Sequence, residues 1–207
     1  MIKITIKEIL ELDKIPRLTL INSIVGYKPA NLVGTTNSKG QTNLAIISSV
    51  VHLGSDPPFI GFIMRPGERH TMENILENGK YTINHIHEKI AEKAHFTSAD
   101  FPRDISEFDV CGLTSEFIDG FYSPFVAESN IKIGLSMVEK IDININNTVM
   151  IVGQIDVIYM KENYLESTFH LDLEAANSIC ISGLDTYHLT QKMARFPFAQ
   201  TNNLPIF

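Results

Sequence analysis

The chain is poor in the features that most readily betray a function. It holds two cysteines in 207 residues, Cys111 and Cys180, which lie far apart and form no CxxC or Cys/His spacing. That excludes a sequence-read disulfide framework and makes a reducing compartment the simpler expectation. Basic residues are outnumbered, 17 against 24 acidic, for a net charge of −7. Non-specific binding to nucleic acid or to an anionic membrane needs the opposite balance. No apolar run approaches the roughly 20 residues that span a bilayer. The start, MIKITIKEILELDKIPR, carries charges every few residues where a signal peptide would have its apolar h-region. A cytoplasmic location with no membrane partner is expected. No GxGxxG follows a strand-like run, so a Rossmann dinucleotide site is not expected. No GxSxG surrounds a serine, and neither cysteine has the context of an activated thiolate.

What is present is 44% hydrophobic and 20% charged sequence, the balance of a globular chain. We expect one domain over residues 1–207, with a core over about 18–165 and a C-terminal extension over 166–207. Strand signals dominate the first two-thirds. ANLVGTT and TNLAIISSVV are rich in β-branched and apolar residues, and NSKGQ between them supplies turn chemistry, with Gly40 free to take positive φ. SDPP breaks the second strand, and FIGFIM reads as a third, covered on both faces. In RHTMENILENGKYTINHI, Thr71 stands ahead of the periodic run Met72, Ile75, Leu76, with Glu73 in the first turn and Gly79 at the end. This predicts a short helix capped by Thr71 and closed by Gly79, followed by a strand. EKIAEKAHF predicts another short helix. FDVCGLTSEFI, FVAESNIKIGLSMVEKIDI and TVMIVGQIDVIYM predict further strands, and the tail reads as partly helical before a Pro- and Asn-containing coil. Many short strands with few helices between them favour a mainly antiparallel barrel over a doubly wound sheet.

Two constellations carry chemistry. The stretch GTTNSKGQTNLAIISSVV places Thr36, Asn43, Ser48 and Ser49 within otherwise apolar strands. Buried polar groups cost free energy unless bonded, so a neutral, heteroatom-rich ligand would suit them; a polar sheet edge is the alternative. The second is the helix entrance at Arg69, His70 and Thr71, with Arg65 close in sequence. Free N–H groups, a positive dipole end and guanidinium groups suit an anion such as phosphate; plain capping with solvated arginines is the alternative. His85 and His87 share one strand face but lack a strong third ligand, so no metal site is expected.

KPANLVGTTNSKGQTNLAIISSVVHLGSDPPFIGFIM followed by RHTMENILENGKYTIN resembles the flavin reductase-like family of FMN-binding split barrels. The likeness lies in an ordered set over residues 28 to 84: Thr-Thr, a Gly turn and Asn, Ala-x-x-Ser-Ser, Asp-Pro-Pro, an apolar strand, then Thr-x-x-Asn-Ile leading to a strand ending in Asn. The later strands continue it over about four-fifths of the chain. The tail MARFPFAQ is similar to an ending of some members, with Arg195 kept and a terminal arginine replaced by Gln200. The resemblance implies an antiparallel split β-barrel with a few peripheral helices, a homodimer, and FMN in an interface groove. Thr36, Asn43, Ser48 and Ser49 would meet the flavin ring edge and ribityl chain; Arg65, Arg69, His70, Thr71 and Arg195 would serve the phosphate. The implied activity is hydride transfer from NAD(P)H to flavin, which passes electrons onward. An FMN-binding electron carrier reduced by a protein partner, or a non-catalytic flavin-binding module, would share these features.

Overall fold

The strongest alternation in the sequence becomes the longest hairpin of the protein. In a computed structural model that describes residues 1–67 and 69–200, Ile131, Ile133 and Leu135 all turn inward and are buried, as a period of two requires. In chain order the elements begin with α1 (Ile6–Glu11), α2 (Lys14–Ile24), β1 (Lys28–Pro29), β2 (Asn31–Thr36), β3 (Thr42–Ile47), β4 (Val51–Ser55) and β5 (Pro58–Met64). Then come α3 (His70–Asn78), β6 (Lys80–His85), a 3₁₀ turn (Glu88–Ile90), α4 (Ala91–Phe96), α5 (Glu107–Val110), β7 (Ser115–Glu116) and β8 (Phe125–Val126). The chain closes with β9 (Ile131–Ile143), β10 (Thr148–Met160), a second 3₁₀ turn (Glu162–Tyr164), β11 (Cys180–Ser182) and β12 (Thr186–His188).

Seven strands form one antiparallel sheet in the order β3-β2-β6-β9-β10-β5-β4. Register shifts between Val152 and Gly153 and between Ile155 and Val157 bend the long β9–β10 pair. The sheet curls until its two margins meet: Ser49, just past β3, bridges the backbone of Ile63 in β5. Val33, Phe62, Ile75, Tyr81, Ile83, Leu135 and Ile151 fill the inside. A second core of Leu32, Leu44, Ile86, Phe108, Val126 and Ile181 packs on the outer face of β2 and β3. β2 feeds both cores by alternation, so all six of its residues are buried. Close packing crowds several glycines, Gly34 and Gly153 most of all. A Cβ on Gly34 would strike the carbonyl oxygen of Pro124, and one on Gly153 would strike the Tyr81 ring.

The fold is mainly β and antiparallel, with a few short helices, as expected. Several local expectations need correction. Thr71 is not the cap of α3: Arg69 holds that position without a side-chain cap bond, and Thr71 sits inside the first turn. Gly79 closes the helix in the left-handed region, at φ 72°. The apolar string FDVCG is not a strand but α5 and the turn after it, because Phe108 turns inward at helical spacing. SDPP does not end the strand begun at Thr42. That strand stops at Ile47, and Asp56–Pro57 instead turns the β4–β5 hairpin. β5 is only half covered, with Phe62 and Met64 buried and Phe59, Ile60 and Ile63 partly open. The tail forms no helix among the described residues; Ile179 and Ile181 of this stretch join the second core, Ile181 through β11.

Candidate functional site

Because β2 is buried throughout, its polar side chains must find partners inside the protein. Thr35 Oγ1 accepts from Asn43 Nδ2 at 3.3 Å and from Asn74 Nδ2 at 3.0 Å. Asn43 Nδ2 also donates to Thr71 Oγ1 at 2.9 Å. Thr35, Asn43, Thr71 and Asn74 are all buried. The network ties the first turns of α3 to the strand pair. Both amide hydrogens of Asn43 are spent there, leaving its Oδ1 without a partner among the described residues.

Thr36 differs from its neighbour. It is only 4% exposed, yet its Oγ1 has no hydrogen-bond partner among the described residues, a state shared by Asn31 Oδ1, Tyr81 Oη and Ser129 Oγ. An unmet buried hydroxyl costs about 1–3 kcal/mol. The Thr36 carbonyl is occupied, accepting from Asn78 Nδ2 at 2.5 Å.

At the far end of β3 the two serines have separate fates. Ser49 Oγ accepts from Ile63 N at 3.0 Å and donates to Ile63 O at 2.9 Å, so it closes the barrel. Ser48 is half-buried, and its side chain makes no hydrogen bond among the described residues. Arg65 follows one residue after β5 and is exposed. Its charge reaches Lys28, whose Nζ donates to the Gly183 carbonyl at 2.8 Å. Burial, and then the nearby Arg65, pull the Lys28 pKa down.

The entrance of α3 presents its first-turn N–H groups without a side-chain cap. Arg69 there is exposed and His70 half-buried. Lys28, Arg65 and Arg69 make no ion pair with a carboxylate among the described residues. Arg65 is near enough to Lys28 for their charges to interact. His70 lines a narrow cleft with Asn37, Gln41, Asn43, Asn74 and Arg103, where Arg103 pairs with Glu73. Glu107 lies behind that cleft: its Oε2 accepts from Leu44 N at 2.9 Å. Burial raises the Glu107 pKa, and the Leu44 bond, its own backbone N–H and His70 oppose that rise.

Thus the fold joins Thr71 to Asn43 by a hydrogen bond, with Arg69 and His70 at the same helix entrance, and sets Arg65 past Ile63, the residue Ser49 bridges. It does not join Arg195 to them. That guanidinium donates to Glu166 Oε2 at 2.5 Å and to Thr168 Oγ1 at 3.2 Å. Two residues escaped the sequence reading. Asn74 shares a helix face with Thr71 at a spacing of three, a signal that was available. Lys28, whose charge meets that of Arg65, lies on β1, held to β11 by a pairing that no local pattern announces. His85 Nδ1 bonds Ser178 Oγ at 3.0 Å and His87 Nε2 the Glu128 carbonyl at 2.9 Å. Among the described residues no three His, Cys, Asp or Glu side chains gather where they could hold a metal. No helix among them is long and apolar enough to cross a membrane.

Comparison with known proteins agrees with the fold. A proposed flavin reductase with a split barrel domain from Shewanella frigidimarina NCIMB 400 superposes with a TM-score of 0.94 at 44% identity, covering 96% of this chain and all of that one. The 2-nitrobenzoate 2-nitroreductase of Pseudomonas fluorescens is 25% identical with a TM-score of 0.81, over 99% of this chain and 98% of the other. Nitrilotriacetate monooxygenase component B from Bacillus cereus shares the fold at 18% identity and a TM-score of 0.83, over 95% and 98% of the two chains. The flavin reductase-like domain matches residues 27–174, and the chain belongs to that family.

Proposed function

We propose that these open polar groups hold FMN and that the protein is an NAD(P)H:flavin oxidoreductase working as a cytoplasmic homodimer. The observation that carries this reading is the uncapped entrance of α3 with Arg69 and His70 on it, preceded in the chain by Arg65, whose charge reaches Lys28. A phosphate dianion complements that set, since helix N–H groups and guanidinium groups both donate to it. The uncharged groups with open valences, Thr36 Oγ1, Asn43 Oδ1 and the Ser48 hydroxyl, suit ribityl hydroxyls and the carbonyl- and nitrogen-lined edge of a flavin. Asn43 and Ser48 are five residues apart on an extended strand, about 17 Å, enough for an extended mononucleotide.

In this reading the cations and α3 fix the phosphate, Thr36 and Ser48 orient the rest, and Asn43 and Thr71 hold α3 in place while Ser49 keeps the barrel margins together. Bound FMN supplies the redox chemistry, hydride transfer from NADH or NADPH and onward passage of electrons. Such a transfer requires no protein acid or base, which accords with a site rich in donors and free of a nucleophile motif. The test is an anaerobic absorbance experiment on FMN-loaded protein. Rapid bleaching of the flavin bands by NADH or NADPH is expected. Bands that persist with both would refute the reductase and leave an electron carrier or a binding module.

A further inference from the structure

We propose that Arg103 is a phosphate-binding residue held in reserve by Glu73: the segment that carries it, residues 97–106, swings aside to admit FMN and closes again with the guanidinium on the phosphate. This rests on the FMN reading above and adds to that site a further cation and the ion pair that regulates it.

Three parts of the chain wall the narrow cleft beside α3. The β2–β3 hairpin supplies Gln41 and Asn43, α3 supplies His70 and Asn74, and the 97–106 segment supplies Arg103 and Ile105. Ile105 alone of the lining residues is apolar. Asn43 is 7% exposed and Asn74 3%, and each donates its Nδ2 to Thr35 Oγ1. Their Oδ1 atoms are left without a partner among the described residues. Buried amide oxygens can only accept, so they call for a ligand with donors, as a polyol has in its hydroxyls. Arg103 in the cleft and Arg69 at the helix entrance call for an anion. The ribityl phosphate of FMN, a polyol that carries a phosphate, meets both demands.

The cleft encloses about 10 Å³, room for a single water. A phosphate enters only if one wall gives, and the 97–106 segment is the wall that can. Pro102, Arg103, Asp104 and Ile105 are all exposed, on a turn closed by Ile105 N donating to the Pro102 carbonyl at 3.1 Å. Two polar side-chain contacts fasten this stretch: Ser106 Oγ with Thr42 Oγ1 at 2.8 Å, and Arg103 with Glu73. So little buried contact makes local opening cheap. Glu73 lies in the first turn of α3, where a carboxylate complements the helix dipole much as a phosphate would. The Arg103 and Glu73 side chains are 50% and 40% exposed. An ion pair that wet is weak, whereas a guanidinium can make two parallel charge-assisted bonds to a phosphate. The phosphate therefore wins Arg103 from Glu73, and until it does, the Glu73 carboxylate both withholds Arg103 and repels the incoming anion.

Titration of the full chain with FMN and with riboflavin, followed by flavin fluorescence quenching, tests the proposal through the sign of two substitutions. Arg103→Ala should weaken FMN about 10-fold, the scale of a lost charge-assisted bond. Glu73→Gln frees Arg103 and removes a repelling charge, so it should tighten FMN at least about threefold. Riboflavin, which has no phosphate, should bind both variants as it binds the wild type. Arg103→Lys, which keeps the charge and loses the planar fork, should fall between the wild type and Arg103→Ala, and it carries the test if the alanine variant does not fold. A mere tether predicts otherwise: both substitutions cut the same ion pair, so both would weaken FMN, and riboflavin with it. That result, or an unchanged FMN affinity in both variants, overturns the role of Arg103 and leaves the FMN reading standing, provided that the wild type prefers FMN to riboflavin. A wild type without that preference overturns the FMN reading and this proposal together.

Discussion

Two polar clusters in this protein look alike in sequence and differ in what their atoms do. Around Thr82 and Asn84 every polar group is matched. Thr82 Oγ1 donates to the Pro124 carbonyl, Asn84 Nδ2 reaches the Leu32 carbonyl and Thr82 Oγ1, and Asn84 Oδ1 accepts from Val126 N. At Thr36, at Ser48 and at the entrance of α3, valences stay open and the cations make no ion pair with a carboxylate among the described residues. The closed cluster is a structural device that fastens the 123–126 segment over β2. In our proposal the open one meets a ligand, and saturation rather than residue type is what distinguishes the two.

The largest effect should come from forcing the closed cluster apart. Gly34→Ala puts a Cβ against the Pro124 carbonyl, with Thr82 Oγ1 2.6 Å away. A loss of about 3 kcal/mol is expected, seen as a melting temperature lower by roughly 10 °C. Flavin affinity of the protein that remains folded should hardly change.

The open cluster should respond the other way round. Arg69→Ala removes an exposed cation without a partner among the described residues, so the melting temperature of the flavin-free protein should stay within about 1 °C. FMN should bind about 10- to 100-fold more weakly, the scale of a lost charge-assisted bond. Riboflavin, without a phosphate, should bind as before; titrations of both flavins by fluorescence decide it. Equal weakening of the two would erase the distinction between the clusters at this position.

Thr36→Val sharpens the comparison further. It removes a buried hydroxyl that has no partner among the described residues, so the flavin-free protein should be unchanged or stabilised by up to about 1 kcal/mol. Flavin binding should weaken several-fold if that hydroxyl meets the ligand. A destabilised flavin-free variant would place Thr36 with the closed cluster.

pH tests a third polar group, His85, which follows Asn84 on β6 and bonds Ser178. Burial lowers the His85 pKa from 6.5 to about 4. The folded state therefore favours neutral His85, and the unfolded chain takes up a proton first as pH falls. Stability from this group should be complete above pH 6.5 and decline toward pH 4, by at most about 3 kcal/mol. Denaturant melts of the wild type and His85→Gln should converge in their pH slope if another group dominates.

How much of this was legible beforehand follows from the range of each interaction. β9 and β10 announced themselves because a period of two is local, and β2, β3, β5 and β6 because β-branched and apolar runs stand between turn or cap residues. The Gly40 and Gly79 turns did so because positive φ is a property of one residue. α5 was misread because a short apolar run such as FDVCG suits a strand or a helix equally until its contacts exist. The proposed site was legible as a neighbourhood but not sorted. Asn43 and Ser49 carry the same kinds of donor as Thr36 and Ser48, and only the fold reveals that the first two are spent on Thr71 and Ile63. Arg195 was grouped with the other cations through the likeness of its tail, while the fold pairs it with Glu166.

The most direct test of the central claim is the affinity of the purified wild type for FMN against riboflavin, measured in one buffer by flavin fluorescence quenching. The account predicts that FMN binds at least about 100-fold more tightly, since two or more unmatched cations and a helix entrance await its phosphate. Equal affinities, or no binding of either flavin, would contradict it.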